Sequence, residues 1–363
     1  MAGENGNGAI MRGEIAESVS VAARLIADRR RLEVIGTELA RRGPAVVVVA
    51  GRGTSDHAAI YARYLLEHAL GVPVALAAAS LLTQYGIESA SPQSALLAFS
   101  QSGAGPDMIA LVESAKRRGA YSIALTNDPA SGLAAAADAT ANLDAGPERA
   151  VAATKTYLAE LISVALIAAA AARAVGRDGS WAEEFNSLPN RMQAALDSAR
   201  MWLADAADTP VVRALHGGNR ALVVGRGFEY PNALELALKL RETTAMFADG
   251  YSAADLLHGP IASASADVAS IALSTDPATE KSIDGSLDRL RAAGAPLLLI
   301  RSDASGSRRM GRDEELVLPT GPHGPLCTPV TAIAGLAIIE SVATGRGLNP
   351  DAPQGLTKVT KTL

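Results

Sequence analysis

Cysteine occurs once in 363 residues, at Cys327. A single thiol excludes an intramolecular disulfide and fits a reducing compartment. With no second cysteine to pair with, it reads as a core residue rather than a nucleophile. Aromatic residues make up 4% of a chain that is 48% hydrophobic, so small aliphatic side chains must fill the core. Such side chains suit helices packed closely on sheets better than an all-β sandwich. Positive charge is also short: 33 lysines and arginines face 38 aspartates and glutamates, a net of −5. No basic face is left for tracking a nucleic-acid backbone. Metal-ligand spacing such as His-x-x-x-His is missing, so neither a metal nor another cofactor is expected. The polar opening, residues 1–8, lacks the charged-then-apolar layout of a signal peptide. The most apolar run, Leu161 to Ala172 between Glu160 and Arg173, reads as a buried helix too short to span a bilayer. These absences predict a cytoplasmic protein with no membrane partner.

A chain of this length predicts two domains. A β-branched run ending in a Gly-x-Gly triplet occurs twice, at Val46–Gly53 and at Ala221–Gly227, each followed by a helical pattern. The triplets Gly51-Arg52-Gly53 and Gly225-Arg226-Gly227 stand 174 residues apart, which indicates an internal duplication. Further strands are expected at Ala95–Ser100, Tyr121–Thr126, Val268–Ser274, Pro296–Arg301 and Glu315–Pro319. Strands alternating with helices imply an α/β class of parallel sheets flanked by helices, with ligands at the carboxyl ends of the strands. Brace helices are expected over Glu14–Ala40 and Trp181–Ala207. The anticipated division is an arm and brace start at 1–30, a first domain at 31–200, a second at 201–345 and an irregular tail at 346–363.

Ser100-Gln101-Ser102-Gly103-Ala104-Gly105-Pro106 runs from an apolar strand into a helix start. Pro106 suits a first helical turn, and Gly103 and Gly105 let the backbone approach a ligand. With the hydroxyls of Ser100 and Ser102, the exposed amides of a helix N-terminus make an anion cradle that needs no lysine. A plain strand-to-helix turn is the alternative. The equivalent position in the second half, Ser274-Thr275-Asp276-Pro277, has an acid and no glycine, so one phosphate site per chain is expected. Gly51-Arg52-Gly53 lacks the third glycine of a dinucleotide fingerprint. Thr54 and Ser55 instead offer hydroxyls to a sugar or phosphate.

Glu235, Lys239 and Glu242 fall on one face of a helix whose intervening residues are apolar. An exposed ion-pair stripe is the usual outcome of such spacing. The surrounding Ala233, Leu234, Leu236, Ala237, Leu238 and Leu240 favour burial, with the charges turned into a site. His258, in a polar turn before Gly259-Pro260, is the natural proton carrier near pH 7.

Over nearly its whole length the chain resembles the double sugar isomerase (SIS) half of glucosamine-6-phosphate synthases. The matching pieces are Gly53-Thr54-Ser55, Ser100–Gly103, Val151–Lys155, Gly225–Gly227, Tyr230-Pro231, the Ala233–Thr243 helix, His258–Pro260 and the tail around Lys358. This resemblance implies two flavodoxin-like domains. It also implies that the Ser100-Gln101-Ser102 loop holds a sugar phosphate, with Gly105, Val151 and Ala152 in the pocket wall. Glu242 would move a proton between C1 and C2, His258 would open the sugar ring, and Lys358 would form a Schiff base with the ketose. Thr54, Ser55, Glu235 and Lys239 would support substrate and base. In the family the histidine enters from a neighbouring subunit, which implies a homodimer with His258 donated across the interface.

Two hydroxyls common in the family are replaced here, by Gly105 and Ala153. The chain opens on Met1-Ala2 and reaches family sequence within about forty residues, where a synthase carries a glutaminase domain with an N-terminal cysteine. That difference, the Ala152–Lys155 motif and the Leu356–Thr362 tail are similar to stand-alone SIS-type glucosamine-6-phosphate deaminases, sometimes labelled as transaminases. The expected reaction is glucosamine 6-phosphate plus water giving fructose 6-phosphate and ammonia. Alternatives are action on galactosamine 6-phosphate or a fructosamine 6-phosphate, a glutamine-independent transaminase, or a non-catalytic phosphosugar sensor.

Overall fold

The computed structural model describes residues 6–303, 314–321 and 324–358. Parts of the anticipated N-terminal arm (1–5) and of the tail motif (359–363) lie outside the described residues. In chain order the helices are α1 Ala9–Ala27, α2 Arg30–Arg42, α3 Thr54–Leu70, α4 Ala79–Thr83, α5 Pro106–Arg117, α6 Gly132–Ala136 and α7 Lys155–Ala174. They continue as α8 Leu188–Asp205, α9 Pro210–Gly217, α10 Tyr230–Thr244, α11 Ala253–Leu257, α12 Glu280–Ala292 and α13 Cys327–Gly345.

The chain forms two compact units. One comprises Ser20–Glu148 and Lys155–Asn186; the other comprises Ser187–Lys358, Arg149–Thr154 and the chain up to Val19. No single cut near residue 200 separates them, because the short Arg149–Thr154 segment groups with the later half.

The first unit holds a five-stranded sheet of β1 Val46–Ala50, β2 Val74–Leu76, β3 Ser94–Phe99, β4 Tyr121–Thr126 and β5 Ala139–Asn142, ordered β2-β1-β3-β4-β5. All pairings are parallel, with Val48 opposite Leu96 and Ala98 opposite Ala124. Residues of β3 and β4 are buried throughout, so both read as continuous apolar runs rather than alternations. The alanine-rich α7 packs on α2 and α3. A side chain at Gly36 of α2 would meet the Ile167 carbonyl at 2.1 Å, so only glycine permits that approach.

The second unit repeats the plan with β6 Arg220–Gly225, β7 Phe247–Ser252, β8 Ala269–Ser274, β9 Leu297–Ser302 and β10 Glu314–Leu318, ordered β10-β9-β8-β6-β7. Read from its other edge this is the same order as the first sheet, with the crossover reversing between β6 and β8 as it does between β1 and β3. The loops leaving those adjacent strands define a switch point in each unit, the usual seat of a ligand in an open parallel sheet. Helix α13 packs against α8 and α10 in this unit.

Two expectations need correction. The single brace over Glu14–Ala40 is two helices, broken at Asp28-Arg29 with neither glycine nor proline to announce it. The apolar helix also runs longer than its hydrophobic stretch. Lys155–Ala174 and Gly324–Gly345 are both long and apolar enough to cross a membrane, yet 89% and 94% of their windows are buried inside the protein. Their length therefore excludes nothing, and their burial identifies them as core helices.

Candidate active site

At the first switch point, β1 ends in Gly51-Arg52-Gly53. A side chain on Gly51 would strike the Ser55 carbonyl at 2.4 Å, and Gly53 has φ +54, so both glycines are needed where the chain turns into α3. Beside it, β3 releases Ser100, and the loop enters α5 with Pro106 in the first turn. Gly103, at φ +59, lies so close to Ser131 and Thr126 that a side chain would meet Ser131 Oγ at 2.1 Å. Its amide donates to Ser100 Oγ at 3.2 Å, and the Ala104 amide donates to Ser102 Oγ at 3.3 Å. The Gln101 carbonyl accepts from the Asn127 amide at 3.0 Å. Arg52 Nε donates to Asp107 Oδ2 at 2.8 Å, joining the two loops through a carboxylate buried in the first turn of α5. Ser100, Gln101, Ser102 and Gly105 therefore form one ordered loop at a helix N-terminus, with Thr54 and Ser55 in the first turn of the helix that follows the neighbouring strand.

The second switch point is chemically opposite. Asp276 stands in the place of Ser102 and Glu229 in that of Ser55, and both are buried. Burial pushes the carboxyls of both above the usual range, against the lowering effect of their hydrogen bonds. Glu229 accepts from Asn232 Nδ2 at 2.8 Å and from Thr275 Oγ1 at 2.7 Å. An anion entering here would meet buried acids, which is the physical reason for expecting a single phosphate cradle. The raised Glu229 value fixes the sign of a pH effect. Ionisation is disfavoured in the folded state, so the stability conferred by its protonated form is lost as pH rises from the ordinary carboxylate value through the higher value of the folded protein. Glu229→Gln should match wild type near pH 4 and become progressively more stable relative to it towards pH 8. Denaturant midpoints across that range test this, and a difference independent of pH would show that Glu229 does not titrate as described.

On α10 Glu235 and Lys239 are buried and Glu242 is partly buried, so the three do not form an exposed stripe. Lys239 Nζ lies 3.5 Å from Glu235 Oε1 and pairs closely with Glu242 Oε2; the Glu235 and Lys239 side chains are 0% and 1% exposed and that of Glu242 is 23% exposed. Only Glu242 has appreciable surface with which to meet a ligand. Replacing Lys239 by methionine would take the cation from between two carboxylates, one of them fully buried. A loss of about 3 kcal/mol or more is expected, read as a denaturant-midpoint shift. A shift well below this would mean that the carboxylates do not depend on the cation between them.

His258 follows α11, exposed, with its amide bonded to the Asp255 carbonyl at 3.0 Å. Its ring makes no hydrogen bond or ion pair among the described residues. Lys358, which the sequence left without a structural task, donates to the Ala150 carbonyl at 2.6 Å. The adjacent Val151 amide bonds the Asp351 carbonyl at 2.9 Å, and Ala152 is buried. Glu14 accepts from the Arg149 and Ala150 amides. Asp351 in turn accepts from the Met11 amide at 2.8 Å and the Ile10 amide at 3.2 Å at the start of α1. Thus Val151, Ala152 and Lys358 come together, held by two acids that no local motif revealed. Cys327 is buried, donating to the Gly324 carbonyl at 2.6 Å, as a core thiol would. No group of three metal-ligating side chains occurs among the described residues.

The SIS domain model matches residues 44–170 and 214–340, once over each sheet. The chain belongs to the SIS-domain family. Its similarity to the glutamine–fructose-6-phosphate aminotransferase (isomerizing) of Symbiobacterium thermophilum is 32% identity over 314 residues, 86% of this chain and 51% of that protein. The chain thus spans about half the length of the curated relatives it matches. Among solved structures, the C-terminal domain of glucosamine-fructose-6-phosphate aminotransferase from Francisella tularensis superposes with a TM-score of 0.86 at 23% identity, covering 97% of this chain and all of that one. At that identity the match speaks for the fold alone. A candidate phosphosugar isomerase from Silicibacter pomeroyi gives a TM-score of 0.78 at 29% identity, covering 94% of this SIS chain and 99% of the other.

Proposed function

We propose that this SIS protein is a phosphosugar aldose–ketose isomerase that releases ammonia, converting glucosamine 6-phosphate and water into fructose 6-phosphate and ammonia. The observation that carries the reading is Glu242, a carboxylate reaching solvent from an otherwise buried Glu235–Lys239–Glu242 set. A base that shuttles a proton between neighbouring carbons must touch its substrate and be held in position while doing so. The Ser100–Gly105 loop supplies the phosphate cradle at the first switch point. Homology to the isomerase half of aminotransferases supports the substrate class; the ammonia-releasing direction is our own reading.

In this scheme His258 assists ring opening. Glu242 removes the C2 proton and returns it to C1, leaving an imine at C2. Water adds there and ammonia departs; alternatively the Lys358 amine displaces ammonia and water then hydrolyses the Schiff base. The active unit is a homodimer in which His258 serves the neighbouring chain's site. Ammonia release from glucosamine 6-phosphate, measured by a coupled assay beside galactosamine 6-phosphate and fructosamine 6-phosphate, tests the reaction. Interconversion of glucose 6-phosphate and fructose 6-phosphate, with no ammonia released from any of the amino sugars, would instead identify a plain isomerase. Ser102→Ala should weaken binding of the 6-phosphate by about tenfold through loss of a charge-assisted hydrogen bond. Equal processing of unphosphorylated glucosamine by wild type would show that the loop holds no phosphate.

A further inference from the structure

The Arg149, Ala150 and Val151 amides follow one another in the chain, and each is bonded to a group far away in it. The first two donate to the two carboxylate oxygens of Glu14 on α1, the Ala150 amide at 3.2 Å, and the third donates to the Asp351 carbonyl in the tail at 2.9 Å. Consecutive N–H groups that converge on one anion make the kind of concavity in which backbone binds a carboxylate or a phosphate. Here the protein fills it with its own side chain. Glu14 is 4% exposed and Ala150 is fully buried, so water is not at hand to replace these bonds.

The Ala150 carbonyl accepts from Lys358 Nζ at 2.6 Å. That carbonyl shares a rigid peptide plane with the Val151 amide, which Asp351 holds, and follows the Ala150 amide, which Glu14 holds. Its direction is therefore fixed from both sides. A neutral lysine amine, the form that attacks a carbonyl carbon, has two N–H bonds and one lone pair. Committing one N–H to a fixed acceptor restricts where the lone pair points. Resting on the Schiff-base route above, we propose that Glu14 is a positioning residue for Lys358. By holding the Arg149 and Ala150 amides it aims the Ala150 carbonyl, and the carbonyl aims the amine at C2 of the ketose. The amine adds to the C2 carbonyl, and the carbinolamine loses water to give the imine. Asp351 steadies the same arrangement, because its carboxylate accepts from the Ile10 and Met11 amides at the start of the helix that carries Glu14.

Both Glu14 oxygens accept, so a neutral side chain of the same shape cannot replace it. In Glu14→Gln one oxygen remains to accept, and the NH2 group is set against an N–H. Reductive trapping tests the assignment. Folded protein is incubated with fructose 6-phosphate and borohydride, which delivers hydride to the imine carbon and leaves a secondary amine that peptide mass spectrometry locates at Lys358. Glu14→Gln should slow trapping at saturating fructose 6-phosphate by about tenfold or more, with the half-saturating concentration at its wild-type value. A loop that only shaped the pocket would weaken binding instead, so a raised half-saturating concentration with an unchanged maximal rate would overturn the proposal. Trapping at the wild-type rate would overturn it too. Should Glu14→Gln fail to fold, Glu14→Asp keeps both acceptor oxygens on a shorter side chain; it must still slow trapping, because the amides it holds are drawn out of place. Wild-type protein that binds fructose 6-phosphate and is never trapped at Lys358 would sink the Schiff-base route itself, before any variant is compared.

Discussion

Glu242→Gln should lower turnover of glucosamine 6-phosphate by about 10² or more with little change in its affinity. The substitution keeps the length and planarity of the side chain and leaves an oxygen to accept from Lys239 Nζ, so α10 should be undisturbed. What disappears is basicity at the one member of the buried set that reaches solvent. An interaction used only as the C2 proton moves affects kcat and kcat/KM together and leaves binding alone. Unfolding should be near wild type, because Glu235 still pairs with Lys239. Steady-state kinetics combined with mass spectrometry of product formed in deuterium oxide would decide the matter. Solvent deuterium entering C1 at the wild-type rate in the variant would remove Glu242 from the proton path.

What the sequence revealed of the fold tracks how local each signal is. Strands β3, β4, β8 and β9 are buried apolar runs, and each was legible within a residue or so of its ends. The duplicated Gly-Arg-Gly triplets announced the repeated sheet. Strands β2, β5 and β7 were missed for separate reasons. Three residues of β2 and the small, partly polar Ala139–Asn142 carry too little pattern to distinguish a strand from a loop. In the segment Phe247–Ser252, Asp249 and Gly250 interrupt the apolar pattern that marks the other strands. Yet a side chain at Gly250 would meet the Ala233 carbonyl at 2.4 Å, so this glycine serves the packing of α10 on β7.

The site divides in the same way. Ser100–Gly105 and the Glu235–Lys239–Glu242 face were legible because their members lie within one loop or about two helical turns. The pairs that hold the sites in shape were not. Arg52 meets Asp107, Ser55 meets Glu160, Glu14 meets the Arg149 and Ala150 amides, and Asp351 meets the start of α1. Each links residues distant in sequence, and nothing local distinguishes Glu14 or Glu160 from an ordinary helical glutamate. Their meaning came only with the fold.

Co-refolding two inactive variants should restore about a quarter of wild-type activity, if His258 serves the neighbouring chain. His258→Ala and Glu242→Gln homodimers each lack one residue in every site. Random pairing makes half of all dimers mixed, and two-fold symmetry makes their two sites unlike. One site draws Glu242 from one chain and His258 from the other and is intact; the other is doubly defective. An exposed histidine without a hydrogen bond or ion pair among the described residues is what such a donation requires. Each parent refolded alone should stay inactive, which separates complementation from residual activity. If differential tags confirm mixed dimers and activity stays at the parental level, His258 belongs to its own chain's site or to none. A lone histidine beside Gly259-Pro260 would then be a turn residue, and ring opening would need another proton carrier.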